Sequence, residues 1–256
     1  MPGPISEPQL HAWLVLLVFV LAALTFILLL RVNAPYGRFA RDGWGPTVPA
    51  RAGWVLFESP AVVVFAAVYF AGQFAWERVP LVLFFAWQFH YLGRTLLYPV
   101  RMREQGKRIP VVIVATAILF NVLNAYINAR WISHLGSYPD DWLTTAPFIV
   151  GLTIFVTGWL INQHADRVLV RLREPGQVHY WVPQGGLYRF VSCPNYLGEI
   201  VEWFGWAVMT WSLAGLAFAV FTTANLLPRA LATHRWYRAR FPDYPPERRA
   251  VIPFLV

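Results

Sequence analysis

The stretch AWLVLLVFVLAALTFILLL, residues 12–30, carries no charged side chain, and its reading decides the fold. As a helix rising about 1.5 Å per residue it crosses a hydrocarbon core of roughly 30 Å. No Lys or Arg precedes it, so the basic n-region of a cleavable signal is missing and the run is expected to stay as a first membrane helix. The rest of the chain agrees. Of 256 residues, 57% are hydrophobic and 13% charged, with 13 Trp and 19 Phe, far more apolar than a soluble domain of this size.

Outward from this run, further apolar segments fall at about 53–74, 79–98, 110–130, 144–164, 196–212 and 214–236. The expectation is an all-α polytopic membrane protein of seven transmembrane helices, with polar residues entering the ends of the third, sixth and seventh. Basic residues set the orientation. Arg31, Arg38, Arg41 and Arg51 follow the first helix, and Arg94, Arg101, Arg103, Lys107 and Arg108 lie at or after the end of the third. Arg167, Arg171, Arg173 and Arg189 follow the fifth, and the rest close the chain. Only Arg78 and Arg130 fall in the opposite loops, so the positive-inside rule places the N-terminus outside and the C-terminus in the cytoplasm. The net charge of +8 is thereby a matter of topology, and nucleic acid is discounted as a partner.

No repeat or long linker divides the chain, so residues 1–256 are read as one membrane-embedded domain. The segment 166–196 is the longest between two spans on the cytoplasmic side. Pro175, Gly176, Pro183, Gly185 and Gly186 break regular structure in it, and it reads as a functional loop. Cys193 is the only cysteine, which excludes an internal disulfide and multi-thiolate metal sites, and it reads as a small turn residue.

The polar residues inside the spans need a reason, because a charge facing lipid costs roughly 2.5–3.5 kcal/mol even on insertion scales. The second helix carries Glu58; the third carries His90, Tyr91 and Arg94; the fifth ends in Asn162, His164 and Asp166. The stretch PNYLGEIVEW, 194–203, opens the sixth with Asn195, Glu199 and Glu202, and the seventh carries Asn225, Arg229, His234 and Tyr237. Asn162 and Asp166 stand at i and i+4, Asn195, Glu199 and Glu202 at i, i+4 and i+7, and Arg229, Thr233 and Tyr237 repeat the i+4 step. Three polar faces thus end on one side of the membrane. Taken singly, each residue is as well explained as an interhelical hydrogen-bonding partner or a headgroup anchor. Together, the inward faces point to a polar chamber, with amides and carboxylates as hydrogen-bonding groups and arginines as anion forks, suited to a phosphate-bearing nucleotide. His90 stays ambiguous between that site and an internal hydrogen bond, while His11, His134 and His179 read as solvated. The tail arginines from Arg238 to Arg249 are assigned to lipid headgroups. No metal is expected, since no HExxH and no histidine-rich cluster occurs, and the GxGxxG of a Rossmann domain is absent as well.

HYLGRT (90–95), GWLINQHADRVLVRLREPG (158–176), YWVPQGGLYRFVSCPNYLGEIVEWFGWAVMTWSLAGLAFA (180–219) and the closing HRWYRARFPDYPPERRAVIPF closely resemble the steroid 5-alpha-reductase family. With PARAGWVLFESP (49–60), the resemblance covers most of the chain from about Pro49 onward. One Lys against twenty Arg gives the sequence the look of a bacterial homologue. The resemblance implies an NADPH-dependent reductase of the double bond of a delta-4 3-oxosteroid. It implies Glu58 and Tyr91 as the pair that binds the 3-oxo group, and Asn162, Asp166, Arg173, Tyr180, Asn195, Glu199, Arg229 and Tyr237 as cofactor contacts, with Arg94 and His234 beside them. On this reading steroid enters from the bilayer and NADPH from the cytoplasm, and the protein is a monomer in the cell inner membrane if bacterial, in the endoplasmic reticulum if eukaryotic. Departures are present: Phe57 stands where Gln is frequent, Trp181 where Arg is common, Thr233 where His occurs, and Cys193-Pro194 in place of a small-residue pair. A membrane methyltransferase or sterol double-bond reductase of similar architecture stays open as an alternative, as does a seven-helix transporter.

Overall fold

Ser6 and Gln9 exchange capping hydrogen bonds at the start of helix α1, Glu7–Arg31, and the chain then runs apolar on every side. Its buried residues, His11, Val15, Val18 and Ala22, form one stripe at helical spacing, which packs on the last helix through Ala214 and Ala217; Leu16, Leu17, Val20, Leu24, Ile27 and Leu28 face outward. An outer face that apolar is what lipid solvates. The computed structural model describes residues 5–102, 106–172 and 180–256. The candidate residue Arg173 lies outside these.

The chain continues through β1 (Thr47–Pro49) into α2 (Ala50–Phe70), then α3 (Arg78–Leu92), a π-turn at Gly93–Leu97, and the short α4 (Tyr98–Arg101). β2 (Arg108–Pro110) pairs antiparallel with β1 and leads into α5 (Val111–Arg130), prolonged by a π-turn at Trp131–Leu135. Helices α6 (Ala146–Arg171), α7 (Pro194–Thr210) and α8 (Leu213–Arg240) follow. Each strand ends in a proline that stands at the N-cap of the helix after it, Pro49 for α2 and Pro110 for α5, so the small sheet clamps two helix starts together.

Among the described residues, five helices are long and apolar enough to cross a membrane: Glu7–Arg31, Ala50–Phe70, Val111–Leu135, Ala146–Arg171 and Leu213–Arg240. The protein is therefore an integral membrane protein, mostly helical in its described residues. α3, with 15 residues, and α7, with 17, are shorter, α3 gaining length only through the π-turn and α4.

Two expectations are corrected. α6 does not end near residue 164 but continues to Arg171, because DRVLVR carries no helix breaker; Asp166 is a helical residue and the connecting loop starts later. His11 is not solvated. It is 5% exposed and its Nε2 lies 2.8 Å from the Ile127 carbonyl of α5.

The core is aromatic. Trp87, Trp203 and Trp206 are almost completely buried and meet Phe65, Phe155 and Phe218, with Trp87 and Phe65 stacked at 4.4 Å and Trp203 and Phe218 at 4.3 Å. α6 and α7 approach most closely: Gly151 and Gly158 on one, Gly198 and Gly205 on the other, each sit against the partner's backbone where a Cβ has no room. Small residues at such a seam let backbones touch where no hydrophobic force drives helices together in lipid.

Candidate active site

Two polar poles lie at opposite ends of the bundle. At the first, the start of α1 meets the end of α5: Arg130 grips Glu7 with Nε at 2.5 Å and Nη2 at 3.0 Å, and donates Nη1 to the Ala71 carbonyl at 3.2 Å. Arg94, Asn162, Asp166, Asn195, Arg229 and Tyr237 gather at the second, with Glu58, His90, Tyr91 and Glu202 deeper in the bundle.

There the π-turn does local work. Tyr98 donates its amide to Gly93 instead of Arg94, which leaves the Arg94 carbonyl to accept from Trp54 Nε1 at 3.0 Å. The Arg94 guanidinium then lies between Trp54 and Tyr98, at 4.8 and 4.5 Å from their ring centres, and donates Nη1 to Asp166 Oδ2 at 3.1 Å. Asp166 Oδ1 accepts from Asn195 Nδ2 at 3.4 Å, and Asn162 Nδ2 donates to the Asn195 carbonyl at 3.0 Å. The glycine seam holds α6 and α7 close enough for this ladder, since Gly198 faces the Asn162 backbone directly. Asn162 Oδ1 is buried and has no protein partner. Pro194, at the first helical position, starts α7 so that Asn195 is already inside the first turn.

Glu58 and Tyr91 sit deeper, both buried. Trp87 and Gln88 of α3 donate to the Ala61 and Val62 carbonyls of α2 at 2.8 and 3.1 Å, which fixes the register of the helix carrying Tyr91 on the helix carrying Glu58. Pro60 denies the Leu56 carbonyl its amide partner, and the Ser59 hydroxyl takes that carbonyl at 3.0 Å. Arg94, Glu199 and His90 are near enough for their charges to act on Glu58, as are Glu58, Glu199 and Glu202 on Tyr91.

Arg229 of α8 lies over Tyr36 at 4.9 Å and Tyr196 at 5.5 Å. Tyr237 lies under the guanidinium of Arg38, 4.7 Å from its ring centre, in a cage completed by Trp236 at 5.0 Å and Tyr180 at 5.6 Å. Arg38 Nη1 is buried and unpartnered. His234 stands apart from these: its Nδ1 meets Ser192 Oγ at 2.7 Å, which also meets the Tyr244 hydroxyl at 2.6 Å, so it ties α8 to the loop before α7 and to the tail. Burial pushes the Tyr188 and Tyr244 phenols above their ordinary range. The sequence reading gives Tyr36 and Trp54 no role at the site and uses Arg38 only as a charge that sets topology in the segment after α1. Its YGR pattern holds an aromatic and a cation side by side, and that was the available signal.

A family model described as 3-oxo-5-alpha-steroid 4-dehydrogenase matches residues 107–256, more than half of the chain. The chain belongs to the 3-oxo-5-alpha-steroid 4-dehydrogenase family. It is 44% identical over 255 residues to steroid 5-alpha-reductase DET2 of Gossypium hirsutum, covering 98% of this chain and 99% of that protein. It is 39% identical over 258 residues to 3-oxo-5-alpha-steroid 4-dehydrogenase 1 of Homo sapiens, covering 98% and 97%. Similarity to this dehydrogenase family thus extends across both poles and the whole length of the relatives named, which come from plants and mammals.

Proposed function

We propose that the chain is an NADPH-dependent reductase of the carbon–carbon double bond of a delta-4 3-oxosteroid, or of an enone of like shape, giving the 5-alpha-reduced product. The observation that carries this is the Arg94–Asp166–Asn195 ladder, whose Arg94 is near enough for its charge to act on buried Glu58 and Tyr91. The donor set suits a dinucleotide. Asn162 Oδ1 is a buried acceptor in need of an N–H or O–H, as on a ribose or carboxamide. Arg38 offers a buried N–H, and Arg38, Arg94 and Arg229 supply cations among stacking aromatics. NADPH, when bound, supplies the hydride.

The chain's own residues do the rest. Tyr91 donates its phenolic hydrogen to the ketone oxygen, and Glu58 on the neighbouring helix contributes a second contact at that oxygen or holds the phenol. Both stabilise the negative charge that gathers on oxygen as the beta carbon, C5, accepts hydride; a proton then reaches C4. Asn162, Asp166, Asn195 and Glu199 orient the nicotinamide half, with Arg94, Arg229, Tyr180 and Tyr237 toward the phosphates and adenosine; Arg173 belongs with these by resemblance. Steroid comes in from the bilayer, across the apolar outer faces, and NADPH from the aqueous pole. The chain acts as a monomeric single domain with seven crossings, its site pole cytoplasmic, in the endoplasmic reticulum or, in a bacterium, the inner membrane.

The test is NADPH oxidation by purified protein in detergent with testosterone, progesterone and a panel of non-steroidal enones. Steroid-dependent oxidation with a 5-alpha product is expected. Binding of S-adenosylmethionine with no dinucleotide binding would establish the methyltransferase alternative.

A further inference from the structure

Between the ladder and the aromatic core lies a buried pair that the reaction above does not use. His90 Nδ1 meets Glu202 Oε1 at 2.6 Å, with the side chains 4% and 0% exposed, and Glu202 Oε2 is buried with no protein partner. Leaving one oxygen of a buried carboxyl unsatisfied costs about 1–3 kcal/mol. A hydrophobic pair of similar volume is often as stable or more so. Stability is therefore a poor reason for its presence, and its location offers a better one. His90 immediately precedes Tyr91, and its ring stands edge-on to the phenol, centroids 4.9 Å apart at 74°. It also stands edge-on to Trp203 at 4.6 Å. Glu202 lies about one turn beyond Glu199 and two beyond Asn195 on α7. The bond thus ties the helix that presents Tyr91 to the helix that presents the nucleotide-facing amide and acid. Among the described residues, Tyr91 is otherwise bracketed by ring contacts, Trp87 at 4.8 Å and Trp203 at 5.6 Å, which resist sliding weakly.

We infer that the Glu202–His90 hydrogen bond is a positioning device that fixes the separation between the Tyr91 hydroxyl and the Asn195–Glu199 face of α7, and with it the distance over which hydride passes. The inference rests on the reductase reading of the site. A displacement of about 1 Å at a reacting centre can cost 10²-fold in rate, so a bond that holds two helices in register acts on turnover more than on affinity.

The experiment compares wild type, Glu202→Ala, Glu202→Gln and the double variant His90→Leu/Glu202→Met, measuring kcat and KM with an enone, NADPH Kd and Tm. Glu202→Ala is expected to lower kcat about 10- to 100-fold with Kd unchanged. Glu202→Gln keeps the shape and a hydrogen bond to the ring and recovers most of that loss. The apolar pair melts no lower than Glu202→Ala and stays as slow. Wild-type kcat in Glu202→Ala or in the apolar pair overturns the inference. So does a glutamine variant as slow as the alanine one, which would make the carboxyl's charge or proton the point, and so does a parallel collapse of kcat, Kd and Tm. Should the apolar pair not fold, the contrast between alanine and glutamine still decides. A wild-type protein that binds NADPH and reduces no enone sinks the reductase reading itself, an outcome separate from any difference among the variants.

Discussion

At the scale of single residues, the proposal assigns opposite consequences to neighbours. Tyr91→Phe and Glu58→Gln each remove one contact to a developing oxyanion, and loss of one such donor typically lowers turnover about 10²–10³-fold. Steady-state assays are expected to show that loss in kcat while fluorescence titration finds NADPH affinity intact; unchanged kcat in both variants would remove the pair from the reaction. Cys193 is expected to be inert. Burial, its largest influence, pushes its thiol up to about 12, with Arg38 and a Thr233 hydrogen bond acting the other way, and the residue is 3% exposed. Because the thiolate is the reactive form, a maleimide should leave folded protein unlabelled at neutral pH and modify it on denaturation. Glu58, Tyr91, Asp166 and Asn195 stand out in the sequence as candidates because an ionisable or amide group in an apolar helix has few cheap explanations. Arg38 does not, since a loop arginine after a first helix is fully accounted for by the positive-inside rule, and only the fold lays it over Tyr237. His234, named among the candidate contacts but outside the i+4 set of α8, has its Nδ1 engaged with Ser192 Oγ.

At the scale of elements, the seam between α6 and α7 carries the proposed site. Gly158 faces the Glu202 amide and the Gly198 carbonyl, so a methyl group there displaces backbone, not a side-chain end. Overpacking of this kind costs typically 1–3 kcal/mol, and here it also separates Asn162 from the Asn195 carbonyl it bonds at 3.0 Å. Gly158→Ala is therefore expected to lower Tm and weaken NADPH binding together, while Gly93→Ala, where an added Cβ meets nothing within 4 Å, should do neither. Equal behaviour of the two variants in a thermal-shift and titration series would detach the seam from the cofactor site. The helices themselves were readable from apolar runs, α1 above all. Two features were not. The π-turn at Gly93–Leu97 leaves no trace in hydropathy, because it changes which carbonyl is paired and not which residues are apolar. The end of α6 was misplaced by relying on hydrophobicity alone, where Asp166–Arg171 continues as a polar-faced helix beyond the apolar run.

At the scale of the molecule, the fold separates a structural pole from a chemical one. Glu7 and Arg130 lock the start of α1 to the end of α5 at one end, while α1 delivers Arg38 to Tyr237 near the end of α8 at the other. The basic residues crowd the second pole, and a surface so charged favours the cytoplasmic side during insertion. The proposed reaction asks for the same orientation, since the NADPH it invokes is polar and would arrive through water, whereas a steroid partitions into the bilayer. Insertion physics and the proposed reaction thus both predict the same end inward, and that prediction can be measured. Ile5, 70% exposed beside the structural pole, and Asp243, exposed just past α8, report the two sides. With Cys193 unreactive, Ile5→Cys and Asp243→Cys each become a lone label site in sealed vesicles. A membrane-impermeant maleimide added outside intact cells, or to vesicles of cellular orientation, should modify Ile5→Cys and spare Asp243→Cys until the bilayer is opened; inverted vesicles should give the opposite pattern. Labelling of both positions from one face would mean an even number of crossings, place the two termini together, and break the argument that charge and cofactor supply share a side.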